Sequence, residues 1–121
     1  MRTLGQERAE YALNEVLKNK EIDKLKSFSA GAPTVILQNG FGQAMAFWLS
    51  KAKESKKHKF IFESVKKWLI EEKFIEPVND SDDKFILKLS EISQKEYLSA
   101  QKEALFLLEW IKRYTSAFCE D

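Results

Sequence analysis

Residues Ser93 to Phe118 read SQKEYLSAQKEALFLLEWIKRYTSAF, with nothing inside to interrupt a helix. Ser93 followed three residues later by Glu96 forms a capping box: the serine hydroxyl accepts from a first-turn amide while the glutamate reaches back to the cap. Tyr97, Ala100, Ala104, Leu107, Leu108, Ile111, Tyr114 and Phe118 recur at three- and four-residue steps, which lays a broad apolar face along the whole segment. At a rise of about 1.5 Å per residue the helix is roughly 39 Å long, the width of a small domain, so other helices are expected to pack along it. Lys95, Lys102, Glu103, Glu109, Lys112 and Arg113 fall on the expected outer side. Lys112 and Arg113 lie near the helix C-terminus, where the dipole favours cations, so their placement has a structural explanation before any functional one.

The remainder of the chain agrees with an all-α class. Hydrophobic residues make up 44% and charged residues 32% of the 121, with only four glycines and two prolines. That composition suits long helices, and we expect a compact bundle of about five or six, forming one domain over residues 1–121. Thr3 and Gln6 make a second capping box and open a helix with Leu4, Ala9, Ala12, Leu13, Val16 and Leu17 on one side, fading near Asn19. Ile22, Leu25 and Phe28 follow at three-residue steps. Ser29-Ala30-Gly31-Ala32 before Pro33 predicts that one helix stops there and the next begins with proline at its first position.

Pro33 to Lys53, PTVILQNGFGQAMAFWLSKAK, is strongly apolar yet carries Gly40 and Gly42. Each glycine costs about 1 kcal/mol relative to alanine inside a helix, so both want a reason. One reason is close approach of another helix, or a break at Asn39-Gly40 that re-caps the next turn. The other is a backbone approach to a ligand or partner, with Gln43 as the polar handle. No Gly-Lys-Ser/Thr ending supports a phosphate-binding loop.

His58 to Lys73 reads as a helix burying Ile61, Phe62, Val65, Trp68 and Leu69. Steps of about 100° gather Lys56, Lys59, Lys66, Lys67 and Lys73 on a neighbouring face with Glu63. That face is either an electrostatic footprint or a solvated helix surface. Residues 74–84, FIEPVNDSDDK, read as a long loop whose acidic Asn79 to Asp83 run is a solvated turn, since it lacks the ligand spacing, glycine and closing glutamate of an EF-hand. Phe85 to Leu89 fits a short helix or a brief strand.

Net charge is +1, but it is unevenly spread. Residues 51–73 hold eight cations and four acids (8 − 4 = +4), and residues 74–121 hold six and ten (6 − 10 = −4). Any nucleic-acid role must therefore come from local clusters. The single cysteine, Cys119, is expected in a frayed tail and points to a reducing compartment. No leader and no membrane span are expected, so the chain is read as cytoplasmic. With one histidine, His58, and one terminal cysteine, neither a nucleophile–base pair nor a metal site is apparent, and an enzyme and a bound cofactor are not expected.

Two stretches together carry a resemblance: Gln38-Asn39-Gly40-Phe41-Gly42-Gln43-Ala44-Met45-Ala46-Phe47, and Glu96-Tyr97 through Ala104-Leu105 to Trp110-Ile111-Lys112-Arg113-Tyr114. With Arg8-Ala9 and Ala12 on the first helix, they are similar, over nearly the whole chain, to the small all-helical subunit of the type III-B CRISPR effector complex, the RAMP module. The resemblance implies a non-catalytic role in antiviral defence, in which several copies stack into a filament beside the guide-RNA-bearing backbone subunits and line the target RNA path. Implied partners are the backbone RAMP subunits, the large subunit, further copies of the chain, guide RNA and target RNA. It points to Gly40, Gln43, Lys112, Arg113 and Arg8 as contacts to phosphates or neighbouring subunits; Lys59, Lys66 and Lys67 join them as candidates from the lysine face. Leu98 departs from the family pattern, where a basic residue is commoner, and so does Phe41, where leucine is. The alternatives are a protein-only helical adaptor, or a stand-alone DNA-binding regulator, for which no compact recognition helix is evident.

Overall fold

A computed structural model describes residues 1–78 and 81–121. It contains six helices and, among the described residues, no strand: α1 (Leu4–Lys18), α2 (Leu25–Asn39), α3 (Phe41–Lys51), α4 (Lys56–Glu71), α5 (Asp82–Glu91) and α6 (Gln94–Phe118). Both capping boxes form. Thr3 Oγ1 accepts from the Gln6 amide at 3.1 Å while Gln6 Oε1 accepts from the Thr3 amide at 2.8 Å. Ser93 Oγ accepts from the Glu96 amide at 3.1 Å, and Glu96 Oε1 accepts from the Ser93 amide at 3.3 Å. Each box satisfies two of the amides that a helix start leaves without partners.

α1 and α2 pack most extensively on the 25-residue α6, and α4 touches all three. α3 packs on α2, α4 and α5. One buried cluster draws on every helix: Val16, Ile36, Trp48, Phe62, Leu69, Phe85, Leu107 and Ile111 are among its members. Phe62 and Phe85 meet edge to face at 6.0 Å, a geometry that suits the aromatic quadrupole. Burial of these side chains from water is what holds the six amphipathic helices together.

The structure departs from the sequence reading at Pro33, at the end of the 74–84 loop, at Glu103 and Phe118 of α6 and at Cys119, and it settles Phe85 to Leu89 as the helix of the two readings. Pro33 does not start a helix; it lies inside α2, buried with Leu25, Ser29, Ala32 and Ile36. Proline offers no amide to the Ser29 carbonyl, yet the helix continues because its apolar face is packed against α6. Phe85 to Leu89 is helical, within α5, whose cap is Ser81 and whose first turn holds Asp82 and Asp83 where the dipole favours them. The loop therefore ends earlier than Lys84, and of the acidic run Asn79 and Asp80 lie outside the described residues.

On α6, Glu103 is not on the outer side but 4% exposed, while Phe118, placed by period on the apolar face, is 49% exposed. Cys119 is not frayed. It caps α6, its amide donating to the Thr115 carbonyl at 2.9 Å, and its side chain is buried at the core margin, where burial pushes the thiol pKa up.

Candidate nucleic-acid interface

Gly40 is at once the C-cap of α2 and the N-cap of α3, at φ 89° and ψ 159°, a conformation side chains disfavour. Lacking a side chain, it cannot cap α3. α6 does so instead: Gln101 Oε1 accepts from the Phe41 amide at 3.2 Å and Tyr97 Oη from the Gly42 amide at 2.8 Å. A Cβ on Gly42 would stand 3.3 Å from that same hydroxyl. The positive φ of Gly40 and the Tyr97 hydroxyl beside Gly42 thus account for the two glycines. Phe41 is buried edge-on to Tyr97 at 5.8 Å. Gln43 is exposed and lines an open cavity of about 360 Å³ with Val35, Asn39 and Phe47.

Arg8 is turned inward. Its Nε and Nη2 donate to Glu103 at 2.5 and 2.8 Å, and Trp68 Nε1 donates to the same carboxylate at 2.8 Å. The guanidinium also stands over the Phe106 ring at 5.0 Å. This node joins α1, α4 and α6 and leaves the Arg8 side chain 12% exposed.

The lysines of α4 are divided among different tasks. Lys66 pairs with Asp82 of α5 at 2.7 Å. Lys67 is exposed above the Tyr11 ring, whose hydroxyl donates to the Ser64 carbonyl at 2.7 Å and is pushed up in pKa by burial. Lys59 is exposed between two cavities that also present Glu15, Glu21, Glu63 and Asp82. Carboxylates are thus interleaved with this face, which weakens its field.

Lys112 and Arg113 sit differently. With Lys26, Ser27, Ala30, Ser116 and Asp121 they line a cavity of about 400 Å³ between α6 and the start of α2. Among the described residues none of the three cations forms an ion pair. Neither Lys112 nor Arg113 is in the last turn of α6, so the dipole, which acts within that turn, does not explain them. The Ser27 amide, one of the unpartnered first-turn donors of α2, points into the same place and donates to Asp121 Oδ1 at 3.1 Å. Three cations and a helix N-terminus thus surround one carboxylate, and both favour negative charge at this place.

A model of the CRISPR-associated protein family Cas_Cmr5 matches residues 4–118. The chain belongs to this family. It is similar to the crystal structure of a CRISPR-associated Cmr5 family protein from Thermus thermophilus, with a TM-score of 0.78 and 25% identity, covering 99% of this chain and 100% of that one. The Cas_Cmr5 protein is the small helical subunit of the type III-B effector complex.

In this Cas_Cmr5 chain the candidate residues occupy four separate places: Arg8 in the α1–α4–α6 node, Gly40 and Gln43 at the α2–α3 joint, Lys59, Lys66 and Lys67 along α4, and Lys112 with Arg113 at the basic cavity. Lys26 and Asp121 escaped the sequence reading because Ser27 and Asp121 lie 94 positions apart and nothing local pairs them. Phe106 and Trp110 escaped it too. Both are substantially exposed on α6 beside Lys102 and Arg113, and Trp110 stacks on Tyr114 at 5.4 Å. Among the described residues no three His, Cys, Asp or Glu side chains gather to hold a metal ion, and no described helix is long and apolar enough to cross a membrane.

Proposed function

We propose that this Cas_Cmr5 subunit is a non-catalytic, cytoplasmic building block, residues 1–121 acting as one helical unit, which stacks in several copies beside the guide-RNA-bearing backbone of the type III-B complex. In that position it lines the target RNA path and holds phosphates without reading bases. The observation that carries this reading is the cavity around the α2 N-terminus, where Lys26, Lys112 and Arg113 form no ion pair among the described residues and Asp121 is the one carboxylate in the lining. Lysine and arginine contacts to phosphate oxygens position a nucleic acid without conveying sequence, and they weaken with salt. Each contact is weak alone but is multiplied along a stack through effective concentration.

Stacking is supported by the +4 and −4 balance of residues 51–73 and 74–121, since complementary surfaces that meet head to tail make an open series. Exposed Leu37, Phe47, Leu87, Leu98, Phe106 and Trp110 add apolar surface for such contacts. The same side chains favour the second reading, a protein-only adaptor. Native affinity purification of the chain, with RNA sequencing of what is retained, separates the two. Larger type III-B subunits with short RNAs are expected, and the Lys112→Glu/Arg113→Glu chain should retain less RNA. Recovery with protein partners but without RNA would leave the adaptor as the better account.

A further inference from the structure

We propose that Asp121 is a built-in stand-in for a phosphate: its carboxylate occupies the Lys26–Lys112–Arg113 cavity in the free subunit, and an RNA backbone phosphate displaces it on binding. This rests on the reading above that the cavity takes phosphate, and adds a guard to it. α2 begins after Lys24, which sits at φ 63° and contributes no side-chain cap. Its Ser27 amide is satisfied instead from a distant part of the chain, by Asp121 Oδ1 at 3.1 Å. The site thus already holds an anion, at a helix N-terminus flanked by cations, where anions are favoured.

The carboxylate does not use all that the cavity offers. It reaches the Ser27 amide, yet among the described residues it forms no ion pair with Lys26, Lys112 or Arg113. A phosphodiester carries one charge and two free oxygens, so it can accept from Ser27 and from a cation at the same time. Two charge-assisted bonds outweigh the single one that Asp121 makes to the Ser27 amide.

The lever for displacement is short. Cys119 is held by its burial and its bond to Thr115, so the exposed Glu120 and Asp121 swing aside from a fixed point. That anchor keeps Asp121 near the cavity at high effective concentration, which makes it a competitor that RNA must displace. The guard discriminates against weak, isolated anions and yields to a strand whose further phosphates are held elsewhere on the stack.

The test is fluorescence anisotropy with a short fluorescein-labelled single-stranded RNA at low salt, on the wild-type chain, Asp121→Ala, Lys112→Ala/Arg113→Ala and the triple variant. Circular dichroism first checks that each is folded. Asp121→Ala is expected to bind several-fold more tightly than wild type, and the gain should vanish in the triple variant. In wild type the Ser27 amide resonance should move on RNA titration, towards its position in RNA-bound Asp121→Ala. Equal affinity of wild type and Asp121→Ala, measurable or not, overturns the guard. If Lys112→Ala/Arg113→Ala still weakens binding in that case, the phosphate reading of the cavity stands without it. If that double variant binds as wild type does, the phosphate reading falls instead. A gain for a glutamate-rich peptide but not for RNA also overturns the proposal and gives the cavity to a protein partner.

Discussion

The Glu103 carboxylate accepts three hydrogen bonds inside the molecule, two from Arg8 and one from Trp68. Two charges brought out of water offset their desolvation only while every bond is made, so removing one partner leaves an uncompensated charge behind. Glu103→Ala is therefore expected to cost about 3–5 kcal/mol, read as a fall in the urea midpoint at unchanged m-value. Replacing Arg8 and Glu103 together by methionine should cost much less than Glu103→Ala alone; additivity of the two single changes would rule out the node. Sequence periodicity missed this node for a physical reason. Glu103 stands on the flank of the α6 apolar stripe, where solvent is the default partner of a charge, and Arg8 is 95 positions away. Gly42 shows the same limit: the sequence demanded a reason for a glycine, but only the fold supplies Tyr97.

At the scale of the helix, the ends that use neighbouring residues were readable and those that use distant ones were not. The Thr3–Gln6 and Ser93–Glu96 boxes close within four residues; the cap of α3 comes from α6, and that of α2 from Asp121. α4 ends in a Schellman motif, the Phe74 amide bonding to Leu69 O at 2.9 Å and the Lys73 amide to Ile70 O at 3.1 Å. Its left-handed residue is Lys73 at φ 63°, where glycine is the usual choice. Lys73→Gly should raise stability by about 1 kcal/mol, measured by thermal unfolding, because it removes the Cβ strain of that conformation.

The opposite end of α4 supplies a pH effect. His58 packs on Phe28 at 4.4 Å and Phe47 at 5.5 Å, its Nδ1 2.6 Å from Ser55 Oγ. Partial burial, and then the cations Lys57 and Lys51, hold its pKa below the ordinary 6.5. The unfolded chain thus takes up a proton at a higher pH than the folded one. Stability is full above about pH 6.5, falls as pH drops from there towards the lower folded value, and levels off beneath it. As the chain has one histidine, melting temperatures across this window should lose that slope in His58→Gln; an unchanged slope would place its origin elsewhere.

Across the whole molecule, periodicity reports which face of each helix is buried, and that was enough for an all-α bundle around α6. It does not report what meets the remaining faces, because polar side chains are tolerated wherever water reaches them. The lysine face of α4 illustrates this: one stripe in sequence becomes, in the fold, an α4–α5 ion pair at Lys66 and exposed lysines at Lys59 and Lys67 that form no ion pair among the described residues. Charge reversal at Lys66 would set it against Asp82 and confound any assembly readout with instability. Lys59→Glu/Lys67→Glu leaves that pair intact and isolates the stacking question, while Lys112→Glu/Arg113→Glu isolates the RNA question. In the assembled complex, the second variant should flatten the dependence of log affinity on log salt by about one for each phosphate no longer held, about two in all, uniformly across RNA sequences. The first should weaken self-association in sedimentation at low salt without changing that slope. Slopes altered by both variants alike would mean that stacking and RNA binding share one surface, and the basic cavity would lose its separate role.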